Sequence, residues 1–256
     1  MTPVELANVV LCNSEPPFLK HYRRGRFAHS RGVSFTGSVL PGPGFNFAAC
    51  TRETPTLAEV ASMAKAFYDD PADAWGVLVQ GDASHPIETE LKAHGWTVAE
   101  DEPAYVLNDL ARFASEQRAT VLVIRPLVDE ADWASFVQTT CSAYGAPPEF
   151  GDMIMPTLAY ALDPEMIWLL AEKDGEIVSA GGGYRIGSSA VVCCLATPSE
   201  HRGSGIGTAV MRELLHRFAE TGSTTAVLRS GPLSRPLYER LGFEYVCQHR
   251  TYVAPV

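Results

Sequence analysis

Leu195-Ala-Thr-Pro-Ser-Glu-His-Arg-Gly-Ser-Gly-Ile-Gly-Thr208 decides how the rest of this sequence is read. It leaves an apolar run, Ala190 to Ala196, and enters a segment in which Ile206, Val210, Leu214 and Phe218 recur every four residues. The first is a strand fit for a sheet centre, and the second is one face of an amphipathic helix. Glycines at 203, 205 and 207 let a ligand approach the backbone closely. The first amides of a helix have no internal partner, and with the helix dipole they form a site for an anion such as a pyrophosphate. Arg202 adds a full positive charge beside it.

Two other glycine-rich helix entries do not fit. A dinucleotide-binding turn needs its glycines straight after the strand, whereas here Leu195 and Gly203 are separated by an intervening loop with different spacing. A Walker loop needs Gly-Lys-Ser/Thr, which the segment lacks.

Working outward, the order of elements from residue 119 is regular. Val121 to Arg125 reads as a strand and Asp129 to Tyr144 as a helix ended by Gly145. A second short helix is expected within Phe150 to Leu162. Met166–Glu172 and Glu176–Tyr184 read as strands joined by a turn at Lys173-Asp-Gly175. After the amphipathic helix come a strand at Thr225–Arg229, a helix at Arg235–Leu241, and one or two strands over Phe243–Val253.

Arg202-Gly-Ser-Gly-Ile-Gly207 resembles the R/Q-x-x-G-x-G/A signature of the GNAT acetyltransferases, and the likeness extends from Val121 to about Val253, including Leu237-Tyr-Glu-Arg-Leu-Gly-Phe243. The resemblance implies an α/β fold and acetyl-CoA as co-substrate, with no metal. It implies backbone contacts to the coenzyme arm from Leu195, Ala196 and Thr197. It places the pyrophosphate on Arg202, Gly203, Ser204, Gly205, Ile206, Gly207 and Thr208. Tyr238 matches the tyrosine that protonates the departing thiolate. Attack on the thioester is direct in the family, so Cys193 and Cys194 are not needed as nucleophiles. Where the family often carries asparagine this chain has Gly231, and Ser230 is the substitute coenzyme contact. The general base stays open among Glu200, His201, Tyr184, Glu149 and water.

The N-terminal half reads as a weaker copy of the same order. It has an apolar strand at Phe45–Cys50, a helix at Thr56–Tyr68, a strand at Trp75–Gln80, a helix at Ile87–His94 and strands over Trp96–Leu107. Between its strand and helix stands Thr51-Arg-Glu-Thr-Pro-Thr56, with no glycine and with Pro55 removing an amide. This half is expected not to bind coenzyme A. The expectation is two GNAT-like mixed-sheet units: residues 1–115 truncated and degenerate, residues 119–256 complete and catalytic. The first 44 residues show no readable pattern.

Composition narrows the partners. The chain of 256 residues has 46% hydrophobic and 20% charged residues, as a globular protein does. A net charge of −10 argues against nucleic acid. No stretch approaches the roughly 20 apolar residues of a membrane helix, and Met1 to Phe18 lacks the basic and apolar regions of a signal peptide. Six cysteines without a CxxC pair read as reduced, buried thiols of a cytoplasmic protein. The functional expectation is an N-acetyltransferase acting on a small-molecule amine, with a homodimer as the candidate assembly. Two other readings are a non-catalytic coenzyme-A-binding or regulatory module and a protein or peptide N-acetyltransferase.

Overall fold

The computed structural model describes residues 1–22, 24–38, 42–51, 55–68, 74–82, 85–115, 122–147, 151, 157–231 and 234–255. In chain order the elements are α1 (Pro3–Cys12), β1 (Arg26–Ser30), β2 (Val33–Gly37), β3 (Phe47–Cys50), α2 (Leu57–Phe67), β4 (Gly76–Gln80), α3 (Pro86–Ala93) and β5 (Thr97–Leu107). There follow β6 (Val123–Pro126), α4 (Glu130–Tyr144), α5 (Leu158–Ala161), β7 (Met166–Lys173), β8 (Glu176–Ile186) and β9 (Ser189–Ala196). The chain ends with α6 (Ile206–Glu220), β10 (Thr225–Arg229), α7 (Arg235–Arg240) and β11 (Glu244–Val253). Glu149 and the start of the expected Phe150–Leu162 helix lie outside the described residues, as does the connection from 116 to 121.

The chain forms two compact units, one of Met1–Val106 with Leu228–Val256 and one of Leu107–Val227. These do not follow the expected cut between residues 115 and 119. Residues 107–115 enter the second unit, where a 3-10 turn at Leu110–Ser115 is tied to α6 by His216 Nδ1 and the Phe113 carbonyl, 2.8 Å apart. The last 29 residues join the first unit because β11 pairs antiparallel with both β4 and β5. A strand takes whichever edge matches its pattern, and sequence order does not name that edge.

In the first unit, β1, β2 and β3 form an antiparallel series, and β3 pairs parallel with β4. Successive side chains of a strand face opposite sides. Ala48 and Cys50 accordingly join Leu57, Val60 and Ala64 of α2, while Phe47 and Ala49 meet Cys12 of α1. In the second unit, β6 to β9 are antiparallel neighbours and β9 pairs parallel with β10. The order antiparallel, antiparallel, parallel, with a helix between the parallel strands, thus occurs in each unit. Trp168 of β7 packs on Trp133 and Phe136 of α4, with ring centroids 6.5 and 5.2 Å away. Ala171, of opposite parity, packs with Ile206 and Val210 of α6. Helix α4 starts on an Asp129 cap and stops at left-handed Gly145. Arg125 holds Asp132 in that helix with two hydrogen bonds of 2.7 Å.

Candidate active site

The site is built where β9 gives way to α6, within the second unit. The register of β9 on β8 runs Ala180↔Ala196, Gly181↔Leu195 and Gly182↔Cys194, then shifts to Gly183↔Val192. Cys193 is therefore the extra residue of a β-bulge. It is exposed while Cys194 is buried, which corrects the expectation that all six thiols are covered. The parallel ladder to β10 spans Ser189↔Thr225 to Val191↔Val227, so the bulged end of β9 runs on beyond it. Close approach of β8 depends on glycine: a Cβ at Gly182 would sit 1.9 Å from the Trp168 ring.

The polar backbone at this end of β9 is held by side chains of the same unit. The Leu195 amide donates to Tyr144 Oη at 3.3 Å, and the Tyr144 hydroxyl donates to the Leu195 carbonyl at 3.2 Å. Ser179 Oγ donates to the Ala196 carbonyl at 2.8 Å and also meets Thr197 Oγ1 at 2.9 Å. The Thr197 carbonyl accepts from Arg202 Nε at 2.8 Å, and Arg202 Nη2 donates to the Ala143 carbonyl at 2.7 Å. Arg202, expected to stand beside a pyrophosphate, joins the exit of β9 to the end of α4 through two of its nitrogens. A guanidinium has five donors in a fixed fork, and two of its nitrogens face these carbonyls.

Beyond Arg202 the chain turns through Gly203 at φ 79° and Gly205 at φ 83°. These left-handed conformations favour glycine. Gly205 is the N-cap of α6, and no side chain caps the helix. Ser204 Oγ donates back to the His201 carbonyl at 2.8 Å. Ala209 donates to the Gly205 carbonyl at 3.0 Å, so the Ile206, Gly207 and Thr208 amides form the helix's leading edge. The Ile206 side chain is buried among Ala171, Val178 and Val210 and fixes that edge. A Cβ at Gly203 or Gly205 would meet nothing within 4 Å, so the backbone of these two glycines is not packed over on that side. Uncapped amides, a dipole end and open glycine backbone suit a diphosphate.

The entry to α2 in the first unit is the reverse case. Thr56 and Glu59 form a capping box, with the Glu59 amide 3.3 Å from Thr56 Oγ1 and the Thr56 amide 2.9 Å from Glu59 Oε2. The Leu57 amide donates to Glu90 at 2.7 Å. Carboxylates thus already hold the Thr56 and Leu57 amides, and the Thr56 hydroxyl holds that of Glu59.

The candidate bases are differently placed. Glu200 is exposed, accepts from Ser199 Oγ at 3.0 Å, and is held below the usual carboxylate range by its own backbone amide and by Ser199. His201 Nε2 lies 3.7 Å from Glu176 Oε1. Tyr184 is buried in β8. Burial pushes the Cys194 thiol up to about 11, partly offset by the Thr140 and Tyr144 hydroxyls, so it is a neutral thiol at physiological pH.

Tyr238 and Ser230 belong to the first unit. Tyr238 is buried on α7, its ring centroid 6.1 Å from that of Tyr105 and 5.7 Å from that of Phe243. Ser230 donates its amide to the Pro103 carbonyl at 3.2 Å and its hydroxyl to the Gly231 carbonyl at 2.9 Å. Leu195, Ala196, Thr197 and Arg202–Thr208 thus lie along one strand-to-helix crossing, and these two residues lie in the other unit. Sequence reasoning missed Tyr144 and Ser179, which partner the end of β9. The only signal was a tyrosine just before the terminating Gly145.

The acetyltransferase (GNAT) family matches the chain over residues 133–243. No curated protein matches the chain. A GCN5-related N-acetyltransferase from Kribbella flavida has a similar structure, with TM-score 0.70 and 16% identity over 99% of this chain and 95% of that one. A GCN5-related N-acetyltransferase from Sphaerobacter thermophilus shares 20% identity at TM-score 0.57, covering 76% of this chain and 66% of that one. A GCN5-related N-acetyltransferase-like protein from Streptococcus suis shares 12% identity at TM-score 0.56, over 98% and 97% of the two chains. At these identities the likeness is one of fold, and it takes in the N-terminal half as well as the C-terminal half. The family match thus covers residues 133–243, and the fold likeness to GCN5-related N-acetyltransferases covers both halves of the chain.

Proposed function

We propose that the protein is an acetyl-CoA-dependent N-acetyltransferase that moves an acetyl group to the amine of a small-molecule acceptor. The observation that carries this reading is the glycine-built, uncapped entry to α6, set directly after a bulged strand end that outruns its parallel neighbour. The acetyl thioester supplies the activated acyl group. The Ile206, Gly207 and Thr208 amides would hold the diphosphate, and the backbone at Leu195–Thr197 would receive the amide-bearing arm. A donor preset at the thioester oxygen lowers the barrier by roughly 3–4 kcal/mol in enzymes of this general type, and fixing both reactants adds a proximity gain.

Tyr238 is assigned the proton donor to the leaving thiolate, with Ser230 as a coenzyme contact; both assignments rest on the family motif alone. Proton removal from the amine is assigned to water, since Glu200 is exposed and Tyr184 is buried. The N-terminal half is read as a degenerate copy that binds no coenzyme, because Glu59 and Glu90 hold the amides at the corresponding helix entry. The net charge of −10 favours a small or basic acceptor over nucleic acid.

The test is thiol release from acetyl-CoA across a panel of small amines and peptide amines, beside calorimetry with CoA. Turnover of small amines supports the proposal. Turnover of peptides alone moves the activity to a protein acetyltransferase. Tight CoA binding with no acceptor would make the chain a binding module, and no CoA binding at millimolar concentration would end the reading.

A further inference from the structure

Tyr144 is the last residue of α4 and precedes left-handed Gly145, which stops the helix and leaves the tyrosine facing β9. The residue is 60% exposed, yet its hydroxyl meets both backbone groups of Leu195, at 3.3 and 3.2 Å. In an extended strand the N–H and C=O of one residue point the same way, and a neighbouring strand or amide chain uses the two together. A single hydroxyl can satisfy both, since it accepts one hydrogen bond and donates another. The Tyr144 hydroxyl therefore occupies the pair of positions that the C=O and N–H of an amide-bearing ligand would occupy on β9. The adjacent residue is tied down as well, through Arg202 Nη2 on the Ala143 carbonyl.

We propose that Tyr144 is a displaceable latch on the coenzyme arm's binding edge: its hydroxyl competes with the arm for Leu195 and must leave when the arm is seated. This rests on the coenzyme-binding reading above. The contact has the strength of a latch and not of a barrier. Two neutral hydrogen bonds from a largely exposed ring are each worth little net of water, so the latch shifts affinity severalfold without abolishing binding.

The distinguishing ligand is adenosine 3′,5′-bisphosphate, which lacks the pantetheine amides. Calorimetry compares its Kd and that of CoA for wild type, Tyr144→Phe and Tyr144→Ala. The phenylalanine variant keeps the ring and loses the hydroxyl; the alanine variant loses both. The expected result is CoA bound about fivefold more tightly by both variants, with bisphosphate affinity unchanged. Equal CoA affinity in all three proteins, with bisphosphate still bound, overturns the latch and leaves the coenzyme reading standing. Weaker CoA binding by the variants also overturns it, because Tyr144 would then be a contact to the arm. Failure of wild type to bind either ligand removes the coenzyme reading itself.

Discussion

The Leu57 amide donates to the Glu90 carboxylate across 2.7 Å, and this contact separates two helix entries that otherwise occupy equivalent places in the chain. A carboxylate on the leading amides of α2 excludes an anion both by occupancy and by charge. The chain should therefore bind one CoA and not two. Calorimetric stoichiometry checks this directly. Glu90→Gln should leave CoA affinity unchanged and lower the stability of the first unit by about 0.5–1 kcal/mol, the usual worth of a helix-terminal charge.

Gly205→Ala should damage α6 through the backbone alone. The residue sits at φ 83°, and an added Cβ meets nothing within 4 Å, so no clash contributes. The left-handed conformation costs an L-residue roughly 1–2 kcal/mol. If the helix entry shifts to relieve that strain, CoA binding should weaken about tenfold, the equivalent of about 1.4 kcal/mol. Thermal unfolding and CoA titration of the variant report the two parts separately. A variant with unchanged CoA affinity would show that this turn is not the diphosphate site.

Tyr238→Phe is expected to lower kcat by about a hundredfold, the lower range for loss of a general acid. Phenylalanine keeps the ring contacts with Tyr105 and Phe243, so the variant should still fold, which thermal unfolding checks. The Kd for CoA should not move. Turnover within threefold of wild type would leave Tyr238 as a packing residue only.

His249 gives the first unit a pH dependence. It is buried between Cys12 and Cys247, and its Nε2 lies 2.9 Å from Asn8 Oδ1. The Asn8 amide nitrogen donates to Gln80, so its oxygen is the acceptor, and the His249 Nε2 carries the proton of a neutral ring. Burial, with the Arg229 charge adding to it, pushes the imidazole down from 6.5 to about 3. Below pH 6.5 the unfolded ring binds a proton that the folded one refuses. Stability from this group is thus full above pH 6.5 and falls as the pH drops toward 3, by up to about 1.4 kcal/mol per pH unit. Denaturant unfolding at pH 7.5, 6.5 and 5.5 should show the loss. His249→Asn should flatten the wild-type slope over the upper part of that window, where carboxylates scarcely titrate; an unchanged slope would contradict the assignment.

Much of the fold was legible because its signals are local. Ile206, Val210, Leu214 and Phe218 mark α6 by spacing, and Asp174 and Gly175, both at positive φ, form the turn read between β7 and β8. The first 44 residues were harder, since β2 buries polar residues. Ser34 is held by Asn13 and His29, and Tyr68 donates to the Thr36 carbonyl, so hydropathy alternation does not show the strand. The Thr2 and Glu5 box that starts α1 is a local signal of its own, but no regular hydropathy period follows it to mark the helix. The glycine turn was visible because it needs one residue type at fixed positions. The Tyr144 contact and the Arg202 fork were not, because they depend on how α4 lies against β9, which no local pattern encodes.

The pairing of β11 with β4 and β5 also bears on how the chain is made. On a ribosome adding about 5–20 residues per second, the β4 edge waits roughly ten to thirty seconds for the segment that will cover it. The second unit, whose residues are contiguous, can mature during that interval, whereas the first emerges early and is completed last. A nascent chain stalled before residue 244 should therefore expose β4 to proteases and chaperones that no longer reach it in the finished protein.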